Sequence, residues 1–170
     1  MNESLFPDPA PSSADASGEC FTAHCDGGSR GNPGPSGYGA VVEDSKGRIV
    51  ARLNEFLGIK TNNFAEYSGL LAVLRWAIEN HAQRLLVVSD SLLMVNQMKG
   101  KFAVKSPGLR PLYLEAHKLS RQIGKFEIRH TLRAGNKEAD RLANEAMDQG
   151  MKKIAFPKVG KPDDFPAMRR

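Results

Sequence analysis

Cysteine is nearly absent: the 170 residues contain two, Cys20 and Cys25. They lie five apart on one strand-like stretch, so their side chains point to opposite faces and cannot bond to each other. Two unpaired thiols fit a reducing compartment, and a cytoplasmic location is expected. Long apolar runs are missing as well. No stretch approaches the length of a membrane span, and the N-terminus lacks a basic region followed by an apolar one, so no membrane partner is expected. Lysine is missing from the glycine-rich loop Gly31-Asn32-Pro33-Gly34-Pro35, and Gly37-Tyr-Gly-Ala-Val-Val42 after it reads as a strand. A phosphate loop needs Gly-Lys-Ser/Thr opening a helix, and the dinucleotide fingerprint also needs a helix after its glycines. Both nucleotide cradles are therefore excluded, and the acid before the loop, Asp26, needs another explanation.

What is present is a chain long enough for one domain with a core of its own. Lysine and arginine number 24 against 19 acidic residues, a formal net charge of +5 that points to a polyanionic partner. The charge is unevenly placed. Residues 1–18 are rich in Pro, Ser and Ala and hold Glu3, Asp8 and Asp15 without a single basic residue, the composition of a disordered acidic arm. Residues 151–170 carry Lys152, Lys153, Lys158, Lys161, Arg169 and Arg170 among three prolines, and are expected to form a flexible basic tail. The folded domain then spans residues 19–150.

Within that span the periodicity changes in a definite order. Strands are expected at Cys20–Asp26, Tyr38–Asp44 and Arg48–Leu57, with Ser45-Lys46-Gly47 as the turn of a hairpin. After Asn62-Asn63 comes a helical stripe of Tyr67, Leu70, Leu71, Leu74, Ala77 and Ile78. Leu85–Val88 is a short unbroken apolar run, as in a strand covered on both faces. Helices follow at Ser91–Met98 and Leu109–Ile123, a strand at Phe126–His130 and a last helix at Asn136–Met147. The order β-β-β-α-β-α-α-β-α implies an α/β fold: a mixed sheet with helices packed on it.

Four acids fall at element ends. Asp26 and Asp90 close strands, and sites in open α/β sheets form outside strand carboxyl ends. Glu66 and Asp140 lie in first helical turns, beside or on the apolar stripe. Any one of them alone reads as a solvated acid or a complement to a helix dipole. Four on one rim would repel one another and bind protons unless hard divalent cations offset the charge.

The motifs around these acids resemble those of the type 1 ribonuclease H family: Asp26-Gly-Gly-Ser-Arg-Gly-Asn-Pro-Gly-Pro35, Thr61-Asn-Asn-Phe-Ala-Glu-Tyr67, Ser89-Asp-Ser91 and Asn136-Lys-Glu-Ala-Asp-Arg-Leu-Ala-Asn144. The resemblance covers residues 19–150. It implies the ribonuclease H-like fold, with a five-stranded mixed sheet flanked by helices, and hydrolysis of the RNA strand of RNA/DNA hybrids. It carries the catalytic and metal-binding carboxylates to Asp26, Glu66, Asp90 and Asp140, and implies two Mg²⁺ ions, with Mn²⁺ as a substitute. In that scheme Asp26 bridges both ions, Asp140 serves the nucleophile side, and Glu66 and Asp90 serve the leaving-group side. Ser29, Asn32, Asn62 and Asn63 fall where the family meets the minor groove and sugar hydroxyls, and Thr61 where it holds a DNA phosphate. Small polar groups suit the reading of a 2′-OH. Helix capping is an equal reading for Asn62 and Asn63. The glycines after Asp26 are read as room for the substrate backbone.

Some positions depart from the family pattern. Leu92 stands where many members have glutamine. The stretch Gly100–Gly108 is too short for the basic handle of some members, and the acidic arm is no hybrid-binding module. His130 keeps two readings: a proton-transfer or product-release histidine, or a strand residue, which the short Arg133-Ala-Gly-Asn136 loop favours. A hybrid-binding module that does not cut would lack one of the acids, and a DNA-acting nuclease of the same fold would lack the Gly-Asn-Pro-Gly and Thr-Asn-Asn motifs. No obligate protein partner is inferred, and a monomer is expected.

Overall fold

A computed structural model describes residues 18–155. The elements run β1 (Cys20–Ser29), β2 (Gly34–Glu43), β3 (Ile49–Lys60), α1 (Asn62–Glu79), β4 (Arg84–Ser89), α2 (Leu92–Met98), α3 (Arg110–Ser120), β5 (Lys125–His130) and α4 (Lys137–Ala155), with a single 3₁₀ turn at Arg133–Gly135. This is the element order expected from the periodicity. The five strands form one sheet in the order β3-β2-β1-β4-β5. β1, β2 and β3 pair antiparallel, while β4 and β5 join parallel to β1 through helical crossovers.

Alternation along the strands sends one set of side chains to each face. Phe21, Ala23 and Cys25 of β1 and Ala40 and Val42 of β2 enter the main core with Tyr67, Leu70, Val73, Leu74 and Ala77 of α1. Trp76 packs its ring edge-on against Phe21 at 5.0 Å, the packing role its mid-helix position suggested. The opposite face of β1–β3 is covered by α4. Gly39 of β2 makes that approach close: a Cβ there would lie 2.3 Å from the Ala139 carbonyl oxygen and 2.5 Å from the Ala143 nitrogen.

Two boundaries differ from the sequence reading. β1 continues past Asp26 to Ser29, because Gly27, Gly28 and Ser29 keep pairing with Tyr38, Gly37 and Ser36 of β2. The glycine-rich loop is correspondingly short. At the other end α4 does not stop at Gly150 but runs on through Met151 to Ala155. Gly150 looked like a helix terminator; instead it is a contact point, with the Phe56 ring where its Cβ would be, 2.0 Å away. The domain boundary drawn at residue 150 therefore moves into the helix. The acidic arm up to residue 17 and the rest of the basic tail lie outside the described residues.

Candidate active site

The site begins where one strand pairing ends and another does not. β1 pairs with β4 up to Cys25–Ser89 and no further. β1 itself continues against β2, with Asp26 opposite Gly39. The next residues in the parallel register, Asp26 and Asp90, thus emerge side by side at the carboxyl end of the pair, in the crevice where β1 loses its neighbour. Glu66 reaches the same point from α1. Thr61 caps that helix, its Oγ1 accepting from the Phe64 N–H at 3.2 Å, so Glu66 falls in the second turn. Gly27 lets the helix come this close: a Cβ at Gly27 would lie 2.3 Å from both the Ala65 carbonyl carbon and the Glu66 nitrogen. One carboxylate oxygen from each of Asp26, Glu66 and Asp90 lies within 4.8 Å of the other two. Asp140, in the first turn of α4, comes within side-chain hydrogen-bonding reach of Asp26.

Asn136 fixes the start of α4 relative to β1. It is 1% exposed, and its Nδ2 donates to the Cys25 carbonyl at 2.9 Å. This ties the segment that carries Asp140 to the residue before Asp26.

Together these residues floor an open cleft of about 700 Å³ whose lining includes all four acids. The electrostatics follow from crowding in a partly dry place. Burial, and then Asp26 and Asp90, push the Glu66 carboxyl up to about 9. Burial, then Asp90 and Asp140, raise Asp26 as well, against the single bond from the Gly27 N–H to its Oδ1 at 2.9 Å. Oε2 of Glu66 is buried and has no hydrogen-bond partner. Behind the acids, burial also raises the Cys25 thiol, followed by the charges of Glu66, Asp26 and Asp90. It stays neutral and serves the core.

The other residues named from the sequence divide. Ser29 and Asn62 line the cleft. The Ser29 hydroxyl donates to the carbonyls of Gly31 and Lys60. Asn32, Thr61 and Asn63 are not among the lining residues. Asn32 Oδ1 accepts from the Asn62 N–H at 3.1 Å and pins the loop to α1, while Thr61 is the helix cap expected of Asn62 or Asn63. His130 is the exposed last residue of β5, opposite Ser89, and lines the cleft. The glycines read as room for substrate have a structural task instead: Gly27 admits α1 and Gly39 admits α4. Three lining residues went unnamed: Arg30, Arg133 and Asn144. Asn144 had a signal, since it lies four residues after Asp140 and so on the same helical face; its Nδ2 donates to the Asp140 carbonyl at 3.0 Å. Arg133 had none, because only the fold brings its guanidinium to 3.8 Å from Asp90.

A family model described as reverse transcriptase-like matches residues 24–146. Over 126 residues the chain is 40% identical to Ribonuclease HI of Halobacterium salinarum, covering 74% of this chain and 63% of that protein. The crystal structure of the RNase H1 of that archaeon superposes with a TM-score of 0.74 at 39% identity, over 76% of this chain and 98% of the other. The chain belongs to the ribonuclease H family. Another relative in sequence is Rv2228c, a bifunctional protein of Mycobacterium tuberculosis, 46% identical over 131 residues, or 76% of this chain and 36% of that one. Its N-terminal RNase H domain, solved as a fusion with maltose-binding protein, has a TM-score of 0.77 at 43% identity, over 80% of this chain and 99% of that one. LC11-RNase H1, solved in complex with an RNA/DNA hybrid, has a TM-score of 0.74 at 33% identity and is matched over 99% of its length by 77% of this chain. The chain thus spans about a third of Rv2228c and just under two thirds of the Halobacterium protein, but nearly the whole of the solved ribonuclease H domains.

Proposed function

We propose that this protein is a metal-dependent endoribonuclease that cleaves the RNA strand of RNA/DNA hybrids. The observation that carries the reading is the convergence of Asp26, Glu66 and Asp90 within 4.8 Å on the floor of an open cleft. Carboxylates so crowded are held as anions only by a strong positive partner. An all-oxygen donor set suits Mg²⁺ or Mn²⁺. The unpartnered Oε2 of Glu66 is a second sign of fit. Asp26, Glu66 and Asp90 would hold one ion and Asp26 with Asp140 another. Bound there, the two ions would supply Lewis acidity, activating water and stabilising the leaving oxygen of a phosphoryl transfer.

The remaining work falls to the chain itself. Glu66 accepts a hydrogen bond from a ribose 2′-OH, an interaction that DNA cannot offer. Ser29 and Asn62 present small polar groups beside the acids, and Asn32 holds that edge in place through the Asn62 N–H. Arg133 and Arg30 are the cations of the lining and meet phosphates. Arg30 is held by Asp148 at 2.5 Å, so it is oriented before substrate arrives. The hybrid carried by LC11-RNase H1 supports this choice of substrate.

The test is cleavage of matched RNA/DNA hybrid, duplex RNA and duplex DNA by the purified full chain, with Mg²⁺, with Mn²⁺ and with chelator. Endonucleolytic cuts in the RNA strand of the hybrid only, lost with chelator, are expected. Cleavage of duplex DNA, or hybrid binding with no cleavage under any metal, would overturn the reading.

A further inference from the structure

Leu92, Leu93 and Leu132 are 53%, 39% and 76% exposed, and all three line the cleft that holds the acids. Two separate segments bring them together. Leu92 and Leu93 open α2, directly after the end of β4; Leu132 follows the end of β5. Ser89 and His130 pair at those strand ends, and the Thr131 N–H donates to the Ser89 carbonyl at 2.9 Å. An apolar lip therefore stands beside Asp90, and Arg133 follows Leu132 with its side chain 88% exposed. Single exposed leucines are ordinary, but three at the mouth of one polar cleft are a surface with a use.

We propose that Leu92, Leu93 and Leu132 form an apolar ledge on which the sugar rings and base edges of the bound hybrid rest. The inference relies on the hydrolase reading above and specifies how that site grips its substrate. A polynucleotide alternates charged phosphates with sugars whose carbon faces are apolar, and a lip that sets leucines beside Arg133 matches that alternation. Anything reaching the acids must pass over the lip, so the occupant of the cleft and of the ledge are the same molecule. The ledge adds affinity without displacing counterions, in contrast to contacts with phosphate, whose strength falls with salt. It also reads no base sequence, because every nucleotide offers the same sugar faces.

The test compares the wild-type chain, Leu92→Ala/Leu132→Ala and Arg133→Ala in hybrid cleavage from about 50 to about 200 mM salt. Thermal unfolding and sedimentation are run on the same preparations. For the leucine pair KM should rise about tenfold with kcat, the slope of log KM against log salt and the unfolding temperature unchanged. For Arg133→Ala the slope itself should fall by about one. The ledge is overturned if the leucine variant keeps the wild-type KM. It is also overturned if the variant loses salt dependence, which would make the contact electrostatic, or if only its state of association changes, which would make the ledge a protein interface. A wild-type chain that cleaves no hybrid would instead sink the hydrolase reading beneath it.

Discussion

Asp90 stands at the point where the charges meet, because it raises the proton affinity of both Asp26 and Glu66 from outside their strand and helix. Asp90→Asn keeps the shape and removes one charge. It should abolish metal-dependent cleavage while the metal-free protein unfolds at a higher temperature near neutral pH. Wild-type turnover in the variant would refute the assignment of the acids. The same groups set a pH dependence. Glu66 and Asp26 bind protons more tightly in the folded chain than in the unfolded one, so the folded state carries the extra protons between the ordinary carboxylate range and about 9. Stability in chelator should therefore be highest at the acid end, from roughly pH 4.5, and decline steadily toward pH 9. Saturating Mg²⁺ should flatten or reverse that slope, since it selects the deprotonated carboxylates. Unfolding temperatures across pH, with and without the ion, check both statements; a metal-free stability that climbs with pH would contradict them.

His130 belongs to the same short range. It is an exposed strand-end residue on the lining of the cleft, so His130→Ala should cost under about 0.5 kcal/mol of stability. A proton-transfer role would cost about a hundredfold or more in single-turnover rate. The expected loss is below tenfold, and a hundredfold collapse would place His130 among the catalytic groups.

The relation of helices to strands rests on missing side chains. At Gly27 an added Cβ would strike the backbone of Ala65 and Glu66, which cannot swing aside as a side chain can. Gly27→Ala should therefore push α1 away from β1, costing about 1–3 kcal/mol. Activity per folded molecule should fall too, because Glu66 leaves the cluster. Urea unfolding and a hybrid assay on the same sample test this. Unchanged stability would mean that α1 adjusts freely, and the geometry of the cluster would then owe nothing to that contact. Asn136 has the matching task for α4, through its bond to the Cys25 carbonyl.

Charge acts over longer distances. The segment 156–170 contributes four basic and two acidic side chains, and the first 17 residues contribute three acidic ones. A chain trimmed to residues 18–155 keeps every element and every cleft residue described above. It should retain hybrid specificity and kcat. Loss of the basic end should raise KM at low salt and leave it nearly unchanged at high salt, where phosphate contacts are screened. KM measured across salt for both chains decides it. A trimmed chain that folds yet cuts no hybrid at any salt would show that the ends are part of the site.

Much of this protein is legible in one dimension. The order of elements follows from periodicity, since whether a residue faces core or solvent repeats within each helix and strand. The four acids are marked by local motifs and by their position at element ends, and the motifs together identify the family. What the linear order could not express are relations between elements. That Asp26 and Asp90 become neighbours depends on β1 outlasting its pairing with β4. That Gly27, Gly39 and Gly150 are contact points depends on which helix or ring lies above each of them. Thr61 rather than an asparagine became the cap because the first helical residue is Asn62, a boundary one position wide. The apolar ledge joins two segments about forty residues apart in sequence, and Arg133 finds Asp90 across the same gap. The proton affinity of Glu66 comes from burial and from neighbours outside its helix. Periodic patterns and motifs are properties of a segment and can be read along it; proximity, desolvation and charge coupling belong to pairs of segments, and arise only when the core brings them together.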